Sequence, residues 1–312
     1  MVKLSLDIPD SFYCEETRCE YKVSVKSKKI WAVELDLLNE FLRFCSENNI
    51  KVIAWAGTLL GAIRHKGFIP WDDDVDIAMT RESFDKLLKI LDGKEFRYPY
   101  FLQTAYNDIK FFFGYARFRN SETTGHIKGC DSSEYNNGIY IDVFVLDGYG
   151  KTEKEQKKHI QKKQKWERLI NIGYGSLYSK SVIKKGIKLF YRYIIRLLWS
   201  YESLLKKYES NMKLFSNSEK IGLLTHPEYL SKLYWCSPKD FEEIEYFDFE
   251  MIKIPVPKNY DEILSHIYGN YMEYPPVEKR GMWHEGQIYF DPDMPYKKYF
   301  EEMYNEKRSI SQ

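Results

Sequence analysis

The sequence predicts a protein of the α/β (or α+β) class, with a mixed central sheet and a helical insertion. Within the first 150 residues, short apolar segments typical of strands alternate with segments of helical periodicity. After Gly150 the chain becomes basic and helical over a long stretch, without a strand signal. Strand signals return from residue 236, together with prolines. The 312 residues are enough for one large domain or two small ones.

Periodicity and turn residues justify the elements of the first half. Apolar side chains at helical spacing mark the first helix, and the Asn48-Asn49 pair ends it. A polar lead-in occupies residues 1–28. The elements predicted after it are a helix over 30–48, a strand over 51–55, a tight turn at Gly57-Thr58, a short helix over 59–65, a strand over 75–79, a helix over 81–91, and strands over 111–120 and 138–146.

In the second half, the segment 151–207 is predicted to be helical. Residues 236–257 are predicted as strand or loop because they contain three prolines. A short helix over 261–268 should end at Gly269, and a loop should follow over 275–283.

The composition limits the classes of function. The net charge is +1, so no global field points to a nucleic-acid partner. We find no stretch as long as a membrane span and no signal-peptide layout at the N-terminus. The five cysteines are odd in number and scattered, which predicts reduced thiols in the cytoplasm.

Four aspartates fall within five residues of the segment Trp71 to Ile77. Like charges at this spacing raise one another's pKa values unless a cation neutralises them. Carboxylate oxygens are hard ligands, so the predicted cation is Mg²⁺, with Mn²⁺ as an alternative. Asp72, Asp74 and Asp76 alternate, so on an extended strand their side chains would point the same way.

Acidic clusters also occur on solvated surfaces, in EF-hands and in glycosyltransferases. A run of charges is usually a solvated surface, but this one enters an apolar strand. An EF-hand is excluded because Ile77 and Ser83 stand where the loop needs Gly and Glu. A glycosyltransferase with an Asp-x-Asp motif would need a nucleotide-binding βαβ half upstream, and only one helix and one strand are predicted there.

The acids fit the pattern of nucleotidyltransferases, which combine a small Gly-Ser or Gly-Thr turn, an acidic pair and a third acid on a neighbouring strand. Gly57-Thr58 would supply the turn, where backbone amides can approach a phosphate. Asp74 and Asp76 would bind the metal, with Asp72 as an additional acid. Asp142 would be the third metal ligand or the catalytic base, and Asp147 is the alternative third acid.

Residues 57–79 read GTLLGAIRHKGFIPWDDDVDIAM. This string closely resembles the LicD family, which includes bacterial phosphocholine transferases and the fukutin-related proteins. Family members typically show G-T-L-L-G-x-x-R-H-x-G-F-I-P-W-D-x-D-x-D, and every fixed position is matched. Asp73 occupies a variable slot, and residues 151–235 contain no matching motif. Other segments that resemble the family are 35–49, 116–124, 139–147 and 268–284.

The resemblance implies a nucleotidyltransferase-like core and Mg²⁺-dependent transfer of a phospho-substituent. The implied donor is CDP-choline or a similar cytidine diphosphate compound, and the implied group is phosphocholine. The implied acceptor is a sugar hydroxyl of a cell-envelope glycan, of the teichoic acid or lipopolysaccharide type, in free or lipid-linked form. Two alternatives stay open: the same fold could transfer another phospho-group or a nucleotide, or the chain could be a non-catalytic relative that binds nucleotide or glycan.

The domain division follows from these assignments. We predict a lead-in at 1–28, a catalytic core at 29–150, a basic helical region at 151–235 and a segment at 236–312 that returns to the active site. Isolated arginines are more often solvated, and the alternative for the loop after residue 275 is an ordinary surface loop. The resemblance nevertheless implies that the donor phosphates are bound by Gly57, Thr58, Arg64, Arg117, Arg119, Arg280 and His284.

The helical segment 181–207 carries Lys184, Lys188, Arg192 and Arg196 at intervals of four, opposite an apolar face. One interpretation is peripheral contact with the inner face of an anionic membrane. The favoured interpretation is a helix packed on the core by its apolar face, with the basic face solvated. Aromatic residues near the motifs could form a choline cage or could simply belong to the core; they are Trp55, Trp71, Tyr115, Tyr140 and Trp283.

Overall fold

A computed structural model describes residues 2–128, 134–175, 182–224, 234–281 and 286–310. The helices in these ranges are α1 (Val25–Glu47), α2 (Ala56–His65), α3 (Arg81–Ile90), α4 (Glu153–Gly173), α5 (Val182–Leu198), α6 (Tyr201–Met212), α7 (Tyr260–Tyr268) and α8 (Tyr296–Ile310). The strands are β1 (Glu16–Arg18), β2 (Tyr21–Val23), β3 (Ile53–Ala54), β4 (Asp76–Thr80), β5 (Tyr100–Gln103), β6 (Ala116–Asn120), β7 (Thr124–Ile127), β8 (Ile139–Gly148), β9 (Ile221–Gly222), β10 (Trp235–Cys236), β11 (Ile244–Phe249), β12 (Ile252–Pro257) and β13 (Ile288–Asp291).

The central sheet is built around β8, and every residue of this strand is buried. Such burial is typical of a strand covered on both faces, and the apolar run in its sequence reflects it. β8 pairs in parallel with β4 and antiparallel with β6 and β9. β3, β5 and β10 extend the sheet beyond β4, β6 and β9 respectively. The seven-stranded mixed sheet confirms the predicted α/β class.

Helix α1 packs across β8 and β6. It begins at Ser24, whose side chain accepts a hydrogen bond from the Ser27 amide at 3.1 Å. Trp31, Leu35 and Phe41 are fully buried along the helix. Burial of each such side chain stabilises the fold by about 1.5–3 kcal/mol, so this contact fixes the helix against the sheet.

Helices α4, α5 and α6 follow β8 and form a smaller apolar core of their own. Helix α4 begins with a capping box, in which Thr152 and Glu155 satisfy each other's backbone amides. Ile170, Leu204 and Met212 lie at the centre of this second core. None of the helices in the described ranges is long and apolar enough to cross a membrane.

The C-terminal segment contributes a hairpin and one further strand pair. Strands β11 and β12 pair antiparallel and pack against α2 and β3. β13 pairs antiparallel with β7, the strand that precedes β8 in the chain. This pairing brings Gln287 and Ile288 to the edge of the cavity described below.

Three local predictions were wrong. Gly57-Thr58 is the first turn of α2 and not a separate tight turn. The predicted strand over 111–120 begins only at Ala116, because residues 111–115 form a loop in which the rings of Phe111 and Phe113 contact each other. Strand β4 begins at Asp76, so the three preceding aspartates lie in a loop and do not alternate along a strand.

Candidate active site

Two neighbouring strands each bring one aspartate to a common cavity. Asp76 begins β4 and lies directly opposite Asp142 of the parallel strand β8. The Asp142 amide donates to the Val75 carbonyl at 2.9 Å, which fixes this register. Directly paired residues project from the same face of a sheet, so both carboxylates face the same space. The cavity has a volume of about 500 Å³.

The loop before β4 contains three further carboxylates, and those of Asp72 and Asp74 line the cavity. One oxygen each of Asp72, Asp73 and Asp74 lies within 4.8 Å of the others. Trp31 of α1 donates its indole N–H to the Asp72 carbonyl at 3.2 Å and thereby ties the loop to the buried helix. Asp72, Asp74, Asp76 and Asp142 all line the cavity. Hard oxygen donors in this number suit Mg²⁺ or Mn²⁺.

The N-terminus of α2 forms another wall of the cavity. Ala56 has a φ of 44°, a conformation that costs free energy for a residue with a side chain. At Gly57 a Cβ atom would come within 2.7 Å of Asp72 Oδ2, so only glycine leaves room for that carboxylate. Thr58 Oγ1 accepts a hydrogen bond from the Asp76 amide at 2.8 Å and holds the start of β4 against the helix.

The acids repel one another strongly. Burial, followed by the charge of Asp74, raises the pKa of Asp72 and the pKa of Asp76 well above the usual range of aspartate. Asp142 is a further cause of the raised pKa at Asp76. A bound divalent cation would relieve this repulsion.

Glu34 of α1 is a further acid in this environment. Its side chain is 1% exposed, and both carboxyl oxygens are buried without a hydrogen-bond partner among the described residues. Burial raises its pKa well above the usual range, and the charges of Asp74 and Asp73 raise it further. A nearby cation would offset the charge of this unpartnered buried carboxyl group and of the acidic loop, so the residues fit the predicted metal.

Arg117 of β6 supplies positive charge inside the cavity. Its Nε donates to Asp142 Oδ1 at 2.7 Å, and both side chains are nearly buried. The guanidinium lies 3.8 Å from the centre of the Tyr140 ring, so it also makes a cation–π contact. The position of Asp142 is therefore fixed both by strand pairing and by this ion pair.

Aromatic rings make up much of the remaining wall. Trp55 is fully buried, and its indole nitrogen has no hydrogen-bond partner among the described residues. Two of the five aromatic residues singled out from the sequence behave differently: Trp71 contacts Tyr274, and Trp283 lies outside the described residues. The aromatic residues that line the cavity are Trp55, Phe113, Tyr115, Tyr140, Phe144, Tyr234 and Tyr268.

The remaining arginines that sequence reasoning assigned to the donor lie elsewhere. Arg119 is 1% exposed and donates to Gln103 Oε1 and to the carbonyl of Gly138. Arg64 donates to the carbonyls of Tyr271, at 2.7 Å, and Glu273, at 3.0 Å.

Arg280 belongs to the same surroundings as Arg64. It donates to the Cys19 carbonyl at 2.8 Å, and its guanidinium stacks near the rings of Trp71 and Tyr274. His284 lies outside the described residues. None of the three described side chains, Arg64, Arg119 and Arg280, lines the cavity.

Asp147, the alternative third acid, is turned away from the cavity. It is 1% exposed and forms a two-point ion pair with Arg81, with contacts of 2.8 and 2.6 Å. It lies five residues after Asp142 on the same strand, and side chains an odd number apart point to opposite faces.

Sequence reasoning missed Glu34, Tyr234 and Tyr268, and it counted Asp73 in the acidic cluster without giving it a role. Glu34 carried a signal, because it is an acid on the apolar face of a predicted helix. Asp73 is adjacent to the predicted ligands but stands at a position that varies in the motif. The two tyrosines come from distant segments, and no local pattern relates them to the aspartates.

Carboxylates from adjacent strands, beside the N-terminus of a helix in a mixed sheet, are the arrangement expected of a nucleotidyltransferase domain. Comparison with known proteins gives the family. Residues 49–170 match the model of the LicD/FKTN/FKRP nucleotidyltransferase domain. This segment of the chain belongs to that domain family. The match contains the acidic loop, β4, β8 and Arg117.

Relatives extend the similarity beyond that segment. The chain is 27% identical over 281 residues to the lipopolysaccharide cholinephosphotransferase LicD of Haemophilus influenzae, covering 86% of this chain and 98% of the relative. It is 37% identical over 90 residues to the uncharacterized protein RP689 of Rickettsia prowazekii, covering 28% of this chain and 34% of the relative. A protein of Rickettsia typhi, RT0683, is 38% identical over 87 residues, or 28% and 25% of the two chains.

Proposed function

We propose that this protein is a LicD-family phosphotransferase that moves phosphocholine from CDP-choline to a sugar hydroxyl of a cell-envelope glycan, with Mg²⁺ or Mn²⁺ as cofactor. One observation carries the proposal: Asp76 and Asp142 face each other on adjacent strands, at a cavity that also contains Asp72 and Asp74. The distant similarity to a lipopolysaccharide cholinephosphotransferase supports the choice of donor and acceptor.

The proposed metal ligands are Asp74, Asp76 and Asp142, with Asp72 as an additional acid. When bound, the cation would neutralise the donor's phosphates and the charge that develops during transfer. The first turn of α2 has backbone N–H groups at the cavity wall, beside Ala56 and Gly57. A helix N-terminus favours an anion, so this turn is the proposed seat of a donor phosphate.

In the proposed reaction, the oxygen of the acceptor hydroxyl forms a bond to the phosphorus that carries choline. The bond from that phosphorus to the CMP oxygen breaks, and CMP leaves with the electron pair. The hydroxyl proton goes to a carboxylate, and Asp142 is the proposed acceptor if it is not a metal ligand. Arg117 holds Asp142 in place and adds positive charge beside the phosphates.

The aromatic wall supports choline as the transferred group. A quaternary ammonium binds to the faces of Trp and Tyr rings. One face of Tyr140 is already covered by Arg117, so Tyr234 and Tyr268 are the proposed partners of the trimethylammonium group. The excess of acids over Arg117 in the cavity also favours a cationic group over a neutral polyol.

The C-terminal segment, 236–312, is proposed to complete the site, because Tyr268, Gln287 and Ile288 line the cavity. Cytoplasmic action on the inner face of the membrane is proposed with it. Among the described residues the cysteines are all free thiols, which supports a reducing compartment.

A donor screen tests the proposal. Purified protein is incubated with Mg²⁺, a glycan acceptor and one of CDP-choline, CDP-ethanolamine, CDP-glycerol or CDP-ribitol, and CMP release is measured. We expect release with CDP-choline, and its loss in Asp76→Asn. Asp92→Asn, at an exposed aspartate, is the matched control and should retain activity. CMP release with a different donor but not with CDP-choline would show that the transferred group is not phosphocholine. CMP release that persists in Asp76→Asn would exclude the proposed site.

A further inference from the structure

Two arginines attach helix α5 to the end of α4. Arg192 donates to the carbonyl of Ile172 at 3.1 Å and to that of Gly175. Arg196 donates to the carbonyl of Gly173 at 2.8 Å. These carbonyls lie at the C-terminal end of α4, where helical backbone acceptors lack partners and cations are favoured. The two arginines thus attach α5 to the end of α4, although only Arg192 of the four basic residues is buried, and Lys184 and Arg196 are exposed.

The apolar side of α5 consequently faces outward. Phe190, Tyr193 and Leu197 follow one another at helical spacing and are 64%, 66% and 70% exposed. Among the described side chains of α5, Ile195 is the buried apolar one, against Gly173. Other large apolar side chains that are more than half exposed on α5 are Ile187, Tyr191 and Leu198. A continuous apolar face of this kind marks an interaction surface.

The surrounding segment is strongly basic. Residues 151–207 contain 16 lysines and arginines against four acidic residues, a net charge of +12, whereas the whole chain carries +1. Within α5 there is no acidic residue, and Lys184 and Lys185 are exposed at its N-terminal end. The partner of this surface must therefore be negatively charged and must also cover apolar side chains.

We propose that α5 lies flat on an anionic phospholipid bilayer, with its apolar face among the acyl chains and the lysines at the headgroups. A bilayer supplies both required properties, the negative surface and the apolar interior. A second copy of this chain is disfavoured, because it would bring an equally basic segment to the same surface. A bound polyanion is disfavoured because it would leave Phe190, Tyr193 and Leu197 in water. The proposal does not depend on which group the enzyme transfers.

Vesicle co-sedimentation of the full chain tests the proposal. We expect the protein to bind vesicles that contain phosphatidylglycerol more tightly than vesicles of phosphatidylcholine alone. Phe190→Glu combined with Leu197→Glu should weaken binding at least about tenfold, because two large side chains no longer enter the bilayer. Lys184→Glu combined with Lys185→Glu should reduce the preference for phosphatidylglycerol. Tyr246→Glu on β11, at a residue 60% exposed, is the matched control and should bind normally.

Three results would overturn the proposal. The first is that the wild-type protein binds neither kind of vesicle. The second is that the Phe190→Glu, Leu197→Glu variant, shown by circular dichroism to be folded, binds as the wild type does. The third is that the wild-type protein forms a dimer and does not bind vesicles, while the double variant no longer dimerises. If the double variant does not fold, Phe190→Trp decides: its emission should shift to the blue with anionic vesicles, and an unchanged spectrum would overturn the proposal.

Discussion

Asp142 and Asp147 offer a matched test of the site. Both lie on β8, both are buried, and each is paired with one arginine. Only Asp142 faces the cavity. We therefore expect Asp147→Asn to lower stability without affecting the metal, and Asp142→Asn to abolish the response to the metal.

The magnitude for Asp147→Asn follows from its burial. The change breaks a two-point ion pair whose arginine, Arg81, has a side chain only 12% exposed. Removing one partner of a buried pair costs about 3–5 kcal/mol. At about 2–3 °C per kcal/mol for a chain of this size, the melting temperature should fall by about 6–15 °C. Asp142→Asn should cost less, because the lost charge also repels Asp76.

The assay is thermal denaturation with and without Mg²⁺, together with CMP release per folded molecule. Asp147→Asn should keep the full increase in melting temperature that Mg²⁺ gives to the wild type. Asp142→Asn should lose that increase and should lose activity by at least about a hundredfold. The reverse pattern, in which Asp147→Asn loses the response to Mg²⁺ and Asp142→Asn keeps it, would refute the assignment of Asp142.

Three further predictions concern the same cavity. Gly57→Ala should weaken Mg²⁺ binding measured by calorimetry, because the added Cβ would displace the Asp72 carboxylate. Gly186→Ala on α5 is the control and should leave binding unchanged, because a Cβ there meets nothing within 4 Å. Equal Mg²⁺ affinities in the two variants would contradict this prediction. Glu34→Gln should raise the melting temperature of the metal-free protein, because it removes a buried unpaired acid. It should also reduce the increase in melting temperature that Mg²⁺ causes. An unreduced increase would show that Glu34 does not take part in the metal site. The folded-state pKa values of Asp72 and Asp76 are raised, so the metal-free fold should lose stability as the pH rises above about 3.9, the ordinary value for aspartate. The increase in melting temperature caused by Mg²⁺ should therefore be larger at neutral than at acidic pH. An increase that does not depend on pH would exclude competition between protons and the metal.

The sequence allowed the central strands to be predicted because both carry strong local signals. β4 and β8 are apolar runs bounded by turn residues, and the observed elements lie within a few residues of the expected ones. Asp142 could be preferred to Asp147 because Asp147 stands beside glycine in a pattern typical of a turn. In the structure Asp147 also lies within β8, and what separates the two acids is the opposite direction of their side chains.

The local shape of the site was less predictable. Alternation along the sequence suggested that Asp72, Asp74 and Asp76 share a strand face, but only Asp76 is in the strand. The loop conformation depends on contacts from distant elements, such as the bond from Trp31 to the Asp72 carbonyl. Arg119 shows the same limit, since its partners include a backbone carbonyl that no sequence pattern indicates.

Helix α5 shows why amphipathic periodicity alone does not give orientation. The periodicity identifies two faces, and the usual expectation is that the apolar face is buried. Here the adjacent end of α4 presents backbone carbonyls, and Arg192 and Arg196 donate to them. Arg192 is buried by this contact, and most of the large apolar side chains of α5 face outward. If this face within a segment of charge +12 binds a membrane as proposed, it would hold the catalytic core at the membrane surface.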